Sequence, residues 1–413
     1  MRKMINQDGI LDKKVFYSGT IYDKKEINAV VESLKNNWLA NGPLVAEFEN
    51  KVASLFGKKY GIAVNSGSSA NLLAIASLNL PKNSIVITPS LTFSTTVSAI
   101  VINNLIPKFV DCIIGRYTIN EALIEKAIDK DTVAIMIPQL IGGVCDMIKI
   151  RQIANKFNLK VIDDSCDTLA PMIGGKTVAS YADITTASFY GSHIITAMGI
   201  GGMMMTDDLE VRSNAIAFRD WGRVGSDREN FDERFNFQID NIPYDGKFLY
   251  SHLGFNLKLN EASAAFALEQ LKKLPDFLSK RRNNWNMLYS KFKKFENYFY
   301  LPELMKGAST NWLAFPLTIK QNSPFTRFDL LKHFESDGIQ TRVLFSGNIT
   351  RHPAIKNIKH KIHGTLINSD IVMENGFLLG AHHAMGVKQI NLIEKSFNTF
   401  MHNCVFKESN NIK

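Results

Sequence analysis

The sequence predicts an α/β protein: a mostly parallel sheet of seven strands covered by helices, with a smaller α+β unit behind it. Two observations carry that expectation. Over the first two-thirds of the chain, apolar runs of strand length alternate with segments whose apolar residues recur at three- and four-residue steps. The runs are almost continuously apolar, as strands must be when helices bury both of their faces.

Residues 1–20 read as an N-terminal arm, followed by helices from Lys24 to Leu34 and from Val45 to Leu55. Strands are expected at 61–64, 84–88, 107–111, 133–137, 159–163, 186–189 and 202–206, with helices from Ala70 to Leu78 and from Ile148 to Phe157 among them. Several strands end in polar or glycine-rich turns, where open α/β sheets place ligands. Residues 222–249 are charged and lack a period; a loop of that length in a compact enzyme is more often functional than idle, and this one is expected to cover the site. A helical stretch then runs from about Asn260 to Phe295, broken near Pro275. The remainder, about 298–405, mixes strands (Ala314 to Ile319, Gln340 to Phe345) with helices. The large unit is expected over 21–275 and the smaller one over 276–413.

Composition narrows the function. The chain has 413 residues, 45% hydrophobic and 21% charged, which excludes a fibrous or largely disordered protein. No apolar run is long enough to span a membrane, and Met1 to Asp8 lack the apolar core of a secretory leader, so a cytoplasmic location is expected. Cys112, Cys145, Cys166 and Cys404 lie far apart, fitting buried thiols in a reducing compartment and no metal site. The net charge of +9 comes from basic residues spread among acids, so no nucleic-acid partner is expected; a phosphorylated small substrate satisfies it equally well.

Three segments carry chemistry. Asn65-Ser66-Gly67-Ser68-Ser69-Ala70-Asn71 joins a strand to a helix, where small residues, hydroxyls and a helix N-terminus form either a phosphate cradle or an ordinary helix cap. Asp163-Asp164-Ser165-Cys166-Asp167 closes a strand; an acid there either caps a helix or faces a cleft and stabilises a protonated heterocyclic nitrogen. The stretch from Ser188 to Gly202 sets a serine and His193 among glycines, the histidine being structural or catalytic.

Together with Pro89-Ser90-Leu91-Thr92-Phe93-Ser94-Thr95-Thr96 and Gly254-Phe255-Asn256, and in this order, these segments resemble the sugar-aminotransferase (DegT/DnrJ/EryC1/StrS) family of pyridoxal-phosphate enzymes, which have the aspartate aminotransferase fold. The likeness runs from about Trp38 into the C-terminal region. It implies that Gly67, Ser68, Ser69 and Ser188 hold the cofactor phosphate and that Phe93 stacks on the pyridine ring. Asp164 would keep the ring nitrogen protonated, making the ring an electron sink. Asp167 matches a position beside the ring's other polar edge. Asn256 would reach the phosphate from the neighbouring subunit of a homodimer.

One departure decides the expected reaction. Family aminotransferases carry a Schiff-base lysine five residues after the loop serine; here that place holds His193, and no lysine occurs between Lys176 and Lys247. Histidine cannot form the imine, but it suits a general base or acid. The same replacement marks the 3-dehydratases of nucleotide-linked 4-keto-6-deoxyhexoses, which use pyridoxamine phosphate. The stretches 218–223, 250–256 and 341–351 resemble the CDP-linked branch, yet Val224 to Tyr250 contain no cysteine for the [2Fe–2S] cluster of that branch. No iron–sulfur centre is therefore expected, which favours the logic of the GDP-linked branch. Ile200 stands where a glutamate is usual.

By this resemblance, His193 removes a proton from the cofactor's methylene carbon and, as imidazolium, protonates the hydroxide leaving carbon 3 of an NDP-4-keto-6-deoxy sugar. The products are a 3,6-dideoxy-4-keto sugar and ammonia, and L-glutamate restores the amine cofactor. Two other readings stay open: a dehydratase served by a separate electron-donating reductase, and a non-catalytic relative that binds a nucleotide sugar or cofactor. Arg219, Arg342 and Arg351 are candidates for a substrate diphosphate or for structural ion pairs.

Overall fold

The computed structural model describes residues 14–225 and 228–411, with 405–411 as backbone alone. Its main sheet contains seven long strands: β1 (Tyr60–Val64), β2 (Ile85–Pro89), β3 (Ile106–Val110), β4 (Thr132–Pro138), β5 (Lys160–Asp164), β6 (Ile184–Ser188) and β7 (Gly202–Thr206). They lie in the order β1-β7-β6-β5-β4-β2-β3. The central strands run parallel, and β7 is antiparallel to both β6 and β1. Every residue of β2, β3, β6 and β7 is buried; β2 and β7 read as nearly apolar runs, whereas β3 buries Lys108 and β6 buries Thr185, Thr186 and Ser188. An eighth strand, Lys361–Ile362, adds in parallel to the edge of β3. Two residues show no period, so this addition escapes sequence reading.

Helices cover both faces. α1 (Lys24–Lys35) starts at a capping box between Asp23 and Glu26. α2 (Pro43–Phe56) has Gly42 at its N-cap, with no side-chain cap of its own. Its first amides are satisfied from a distance: the Glu261 carboxylate accepts from the N–H groups of Gly42, Leu44 and Val45 at 2.9, 3.0 and 2.8 Å. α3 (Gly67–Ser77) follows β1, and α4 (Ser94–Ile102) follows β2.

The helix α5 (Glu261–Lys293) corrects the expected break: it continues through Pro275. Proline removes one intrahelical bond, but burial on either side outweighs that loss. Leu268, Leu274 and Phe277 pack into the core that α2 shares with the main sheet. Leu288 and Phe292 pack into a second core. That second core lies against an antiparallel sheet ordered Phe299–Tyr300, Phe315–Ile319, Gly376–Leu379, Thr341–Val343. It is rich in aromatic residues, with Phe299 and Phe397 in ring contact with each other and each with Phe292 and Phe325.

Residues 222–249 are also more regular than expected. They hold a short helix, Phe231–Arg234, and a hairpin of Phe237–Ile239 with Ile242–Tyr244. Asp240 and Asn241 between the strands have φ of 50° and 67°, the two left-handed positions of a type I′ turn. The Asp-Asn pair between isoleucines was a readable turn signal.

Candidate active site

The main sheet delivers the ends of β1, β5 and β6 to one cavity of about 480 Å³. Its walls contain Gly67, Ser68, Phe93, Asp164, Asp167, Ser188 and His193, seven of the nine residues expected from sequence. Ser69 and Asn256 stand apart from it. The Ser69 hydroxyl donates to Asn65 Oδ1 at 2.6 Å, inside the turn. Asn256 is exposed on an extended segment that bridges to Asp220. Of the segment 222–249, expected to cover the site, no described residue lines this cavity.

The turn after β1 is tightly built. Ser66 caps α3, its Oγ accepting from the Ser69 amide at 3.1 Å, so the positive end of an eleven-residue helix opens at the cavity. A Cβ at Gly67 would lie 2.6 Å from Ser188 Cβ and 2.9 Å from Cys166 Sγ. A Cβ at Gly202 would lie 2.2 Å from the Ser66 carbonyl oxygen. Glycine at both places lets β6, β7 and the turn converge, bringing Ser188 beside Ser68 as a second hydroxyl for an anion.

At the end of β5, neighbouring carboxylates point opposite ways, as successive strand residues must. Asp163 accepts from Gln139 Nε2 at 2.9 Å and from Ser165, and burial pushes its pKa up to about 7. It is structural. Asp164 faces the cavity; its Oδ2 accepts from Asn71 Nδ2 at 2.7 Å and Thr96 Oγ1 at 2.8 Å. Thr186 completes the network by donating to Asn71 Oδ1 at 2.6 Å. Asn71, Thr96 and Thr186 were not singled out from sequence, although two of them had a signal. Asn71 lies one helical turn after Gly67, and Thr186 shares a strand face with Ser188.

Asp167 accepts from the Ile141 amide at 2.8 Å, and burial raises its pKa to about 7, with the Asp164 charge adding to the effect. Ile141 has φ of 60°, an uncommon conformation for a β-branched residue, and its carbonyl takes the Leu313 amide at 2.7 Å. The bend thus ties Asp167 to the segment that carries Leu313, another wall residue.

His193 follows β6 in a loop between Tyr190 and Ile200, which also line the cavity. Burial lowers its pKa to about 4; a hydrogen bond with the Cys166 backbone opposes that shift, and the Arg281 charge reinforces it. The imidazole is therefore a neutral base at physiological pH. Among the described residues lining the cavity there is no lysine.

Arg281, also missed from sequence, is 2% exposed and ion-paired with no carboxylate among the described residues. Its guanidinium donates to the carbonyls of Trp312 and Leu313 at 3.1 Å each and of His193 at 3.4 Å, and to His383 Nδ1 at 3.3 Å. Of the other arginine candidates, Arg219 pairs with Asp220 and Glu49, and Arg351 with Asp370, so both are committed to structure. Arg342 lies 5.4 Å from the Tyr17 ring.

The donor set fits a phosphorylated aromatic cofactor. A helix N-terminus and two serines suit the phosphate, the half-exposed Phe93 offers a ring face, and the Asp164 carboxylate is held by two donors for a protonated ring nitrogen. The described residues contain no group of three or more His, Cys, Asp or Glu side chains placed to hold a metal, and no helix long and apolar enough to cross a membrane.

The chain has relatives among known proteins. The chain is 36% identical over 398 residues to the lipopolysaccharide biosynthesis protein RfbH of Salmonella typhimurium, covering 93% of this chain and 91% of that one. It is also 36% identical to a dTDP-4-dehydro-2,6-dideoxy-D-glucose 3-dehydratase of Saccharopolyspora spinosa, covering 93% and 86%. Among solved structures, a GDP-4-keto-6-deoxymannose-3-dehydratase with a trapped PLP-glutamate geminal diamine superposes with a TM-score of 0.85 at 27% identity, covering 92% of this chain and 99% of that one. The model of the DegT/DnrJ/EryC1/StrS aminotransferase family matches residues 20–398, and the chain belongs to that family.

Proposed function

We propose that this protein is a pyridoxamine-phosphate-dependent 3-dehydratase of a nucleotide-linked 4-keto-6-deoxyhexose, working as a homodimer with glutamate as the amino donor. One observation carries the reading: a neutral histidine, with no lysine among the described wall residues, shares a cavity with Gly67, Ser68, Phe93, Asp164 and Ser188. Two similarities support it: a relative bears the name of a 3-dehydratase, and a structurally similar 3-dehydratase holds a trapped PLP-glutamate adduct.

When bound, the cofactor supplies an amine for the sugar's ketone and a ring that accepts electrons. Gly67, Ser68 and Ser188 would hold its phosphate, Phe93 its ring face and Asp164 its ring nitrogen. Ser69 shapes the turn, Asp167 would lie beside the ring's other polar edge, and Asn256 of a second copy would reach the phosphate. His193, deprotonated above about pH 4, would serve at an imidazole nitrogen as the base for the cofactor's methylene carbon. The imidazolium would then supply that proton to the hydroxide departing from carbon 3. Overall, the sugar exchanges a hydroxyl for hydrogen while glutamate becomes 2-oxoglutarate and ammonium, so the two electrons balance.

The test offers a panel of CDP-, GDP-, dTDP- and UDP-linked 4-keto-6-deoxy sugars with pyridoxamine phosphate and glutamate. Loss of oxygen is followed by mass spectrometry and ammonium by coupled assay. One ammonium per turnover is expected, against none for a reductase-driven route. His193→Lys should lower deoxygenation about 10²–10⁴-fold; undiminished rates would place the base elsewhere.

A further inference from the structure

The N-terminal arm carries a wall residue that the reading above leaves without a role. Tyr17 lines the cavity although the arm precedes the first helix. The arm is held at several points. Val15 is fully buried in the smaller sheet's core, its amide donating to the Gly338 carbonyl at 3.0 Å and its carbonyl accepting from the Gln340 amide at 2.8 Å. The Tyr17 amide donates to Gln340 Oε1 at 3.2 Å, and the Phe16 carbonyl pairs with His382 Nε2 at 3.0 Å. Thr20 then donates to the Gly191 carbonyl, two residues before His193. The strap thus joins the smaller unit to the loop of the proposed base, with Tyr17 between the two.

The side chain is positioned but not satisfied. Arg342 stacks near its ring, and the ring packs with the cluster that includes Leu140, Ile141 and Leu313. Its hydroxyl bonds no protein group among the described residues and is not sealed off, so it is left for a ligand or solvent in the cavity. Burial and the nearby Asp167 charge hold the phenol protonated, so it is a standing donor. A fixed donor facing a cavity is stabilised when a ligand supplies the acceptor. The cofactor-type donors all come from the ends of the main sheet's strands and the turns that follow them. Tyr17, Leu313 and Phe345 enter the wall from segments outside the main sheet.

We propose that Tyr17 is a substrate-binding residue whose hydroxyl donates a hydrogen bond to an oxygen of the hexose. The assignment rests on the nucleotide-sugar reading above, and the test separates the two. In a His193→Asn background, which blocks turnover, calorimetry compares binding of the four 4-keto-6-deoxy nucleotide sugars to the pyridoxamine-phosphate form with and without Tyr17→Phe. Absorbance titration measures pyridoxal phosphate affinity in both, and thermal melting checks folding. Loss of the hydroxyl should raise the sugar's dissociation constant about three- to tenfold and leave cofactor affinity within about twofold. An unchanged sugar affinity overturns the assignment alone, as does a loss confined to the cofactor. If no nucleotide sugar binds either chain, the substrate reading itself falls and this inference with it.

Discussion

The two walls of the cavity are built on different scales. On one side, Gly67 and Ser68, Asp164 and Ser188 sit at the ends of strands that pair in the same sheet, each within a few residues of a strand. On the other, Tyr17, Leu313 and Phe345 come from an arm and loops far apart in sequence, held by single long-range bonds such as Gln340 to Tyr17 and Leu313 to Ile141. The first wall follows from strand period and turn composition. The second depends on how the smaller unit and the arm dock, and Arg281 is the buried cation that links it to the His193 loop.

The sheet-side wall should be the more sensitive to point changes. Asp164→Asn keeps one oxygen able to accept from Asn71 and Thr96, but it removes the counter-charge for a protonated ring. Turnover should fall about 10²–10³-fold, with weaker cofactor binding by absorbance titration. A variant with near-parental turnover would mean that the sheet-side wall does not hold the ring.

On the far wall, Arg281→Met strands the carbonyls of Trp312, Leu313 and His193. We expect about 2–3 kcal/mol less stability in urea titration. It also removes a cation that disfavours imidazolium. The base is active when deprotonated, so the acid limb should move up from about 4 in the variant, while burial, the larger cause of the depression, still holds it below the ordinary histidine value of about 6.5. An unmoved limb in the pH–rate profile would separate Arg281 from His193.

The smallest effects distinguish residues within one turn. Ser188→Ala should weaken pyridoxal phosphate binding about tenfold, whereas Ser69→Ala, whose hydroxyl bonds Asn65, should change it less than about twofold. Equal losses would return Ser69 to the phosphate.

Much of this was legible in the residues. Strands buried on both faces announced themselves as apolar runs, and the eighth strand escaped because two residues carry no period. Pro275 misled because a local rule was overridden by burial on both sides of it. The hairpin at 237–244 had its signal in Asp240-Asn241, hidden among charges. Seven of the nine expected site residues meet in one cavity, since each lies in a short motif tied to a strand end.

By itself, then, the sequence determined the α/β class, the turn that opens a helix N-terminus to an anion, and the exchange of a lysine for His193. These are properties of residue type and short spacing. Only the tertiary structure decided which of two adjacent carboxylates faces the cavity, what holds Asp164, and that Tyr17 and Arg281 belong to the site. Those facts depend on contacts between segments far apart in the chain, as from Tyr17 to Gln340, and such contacts leave no periodic trace in a single chain.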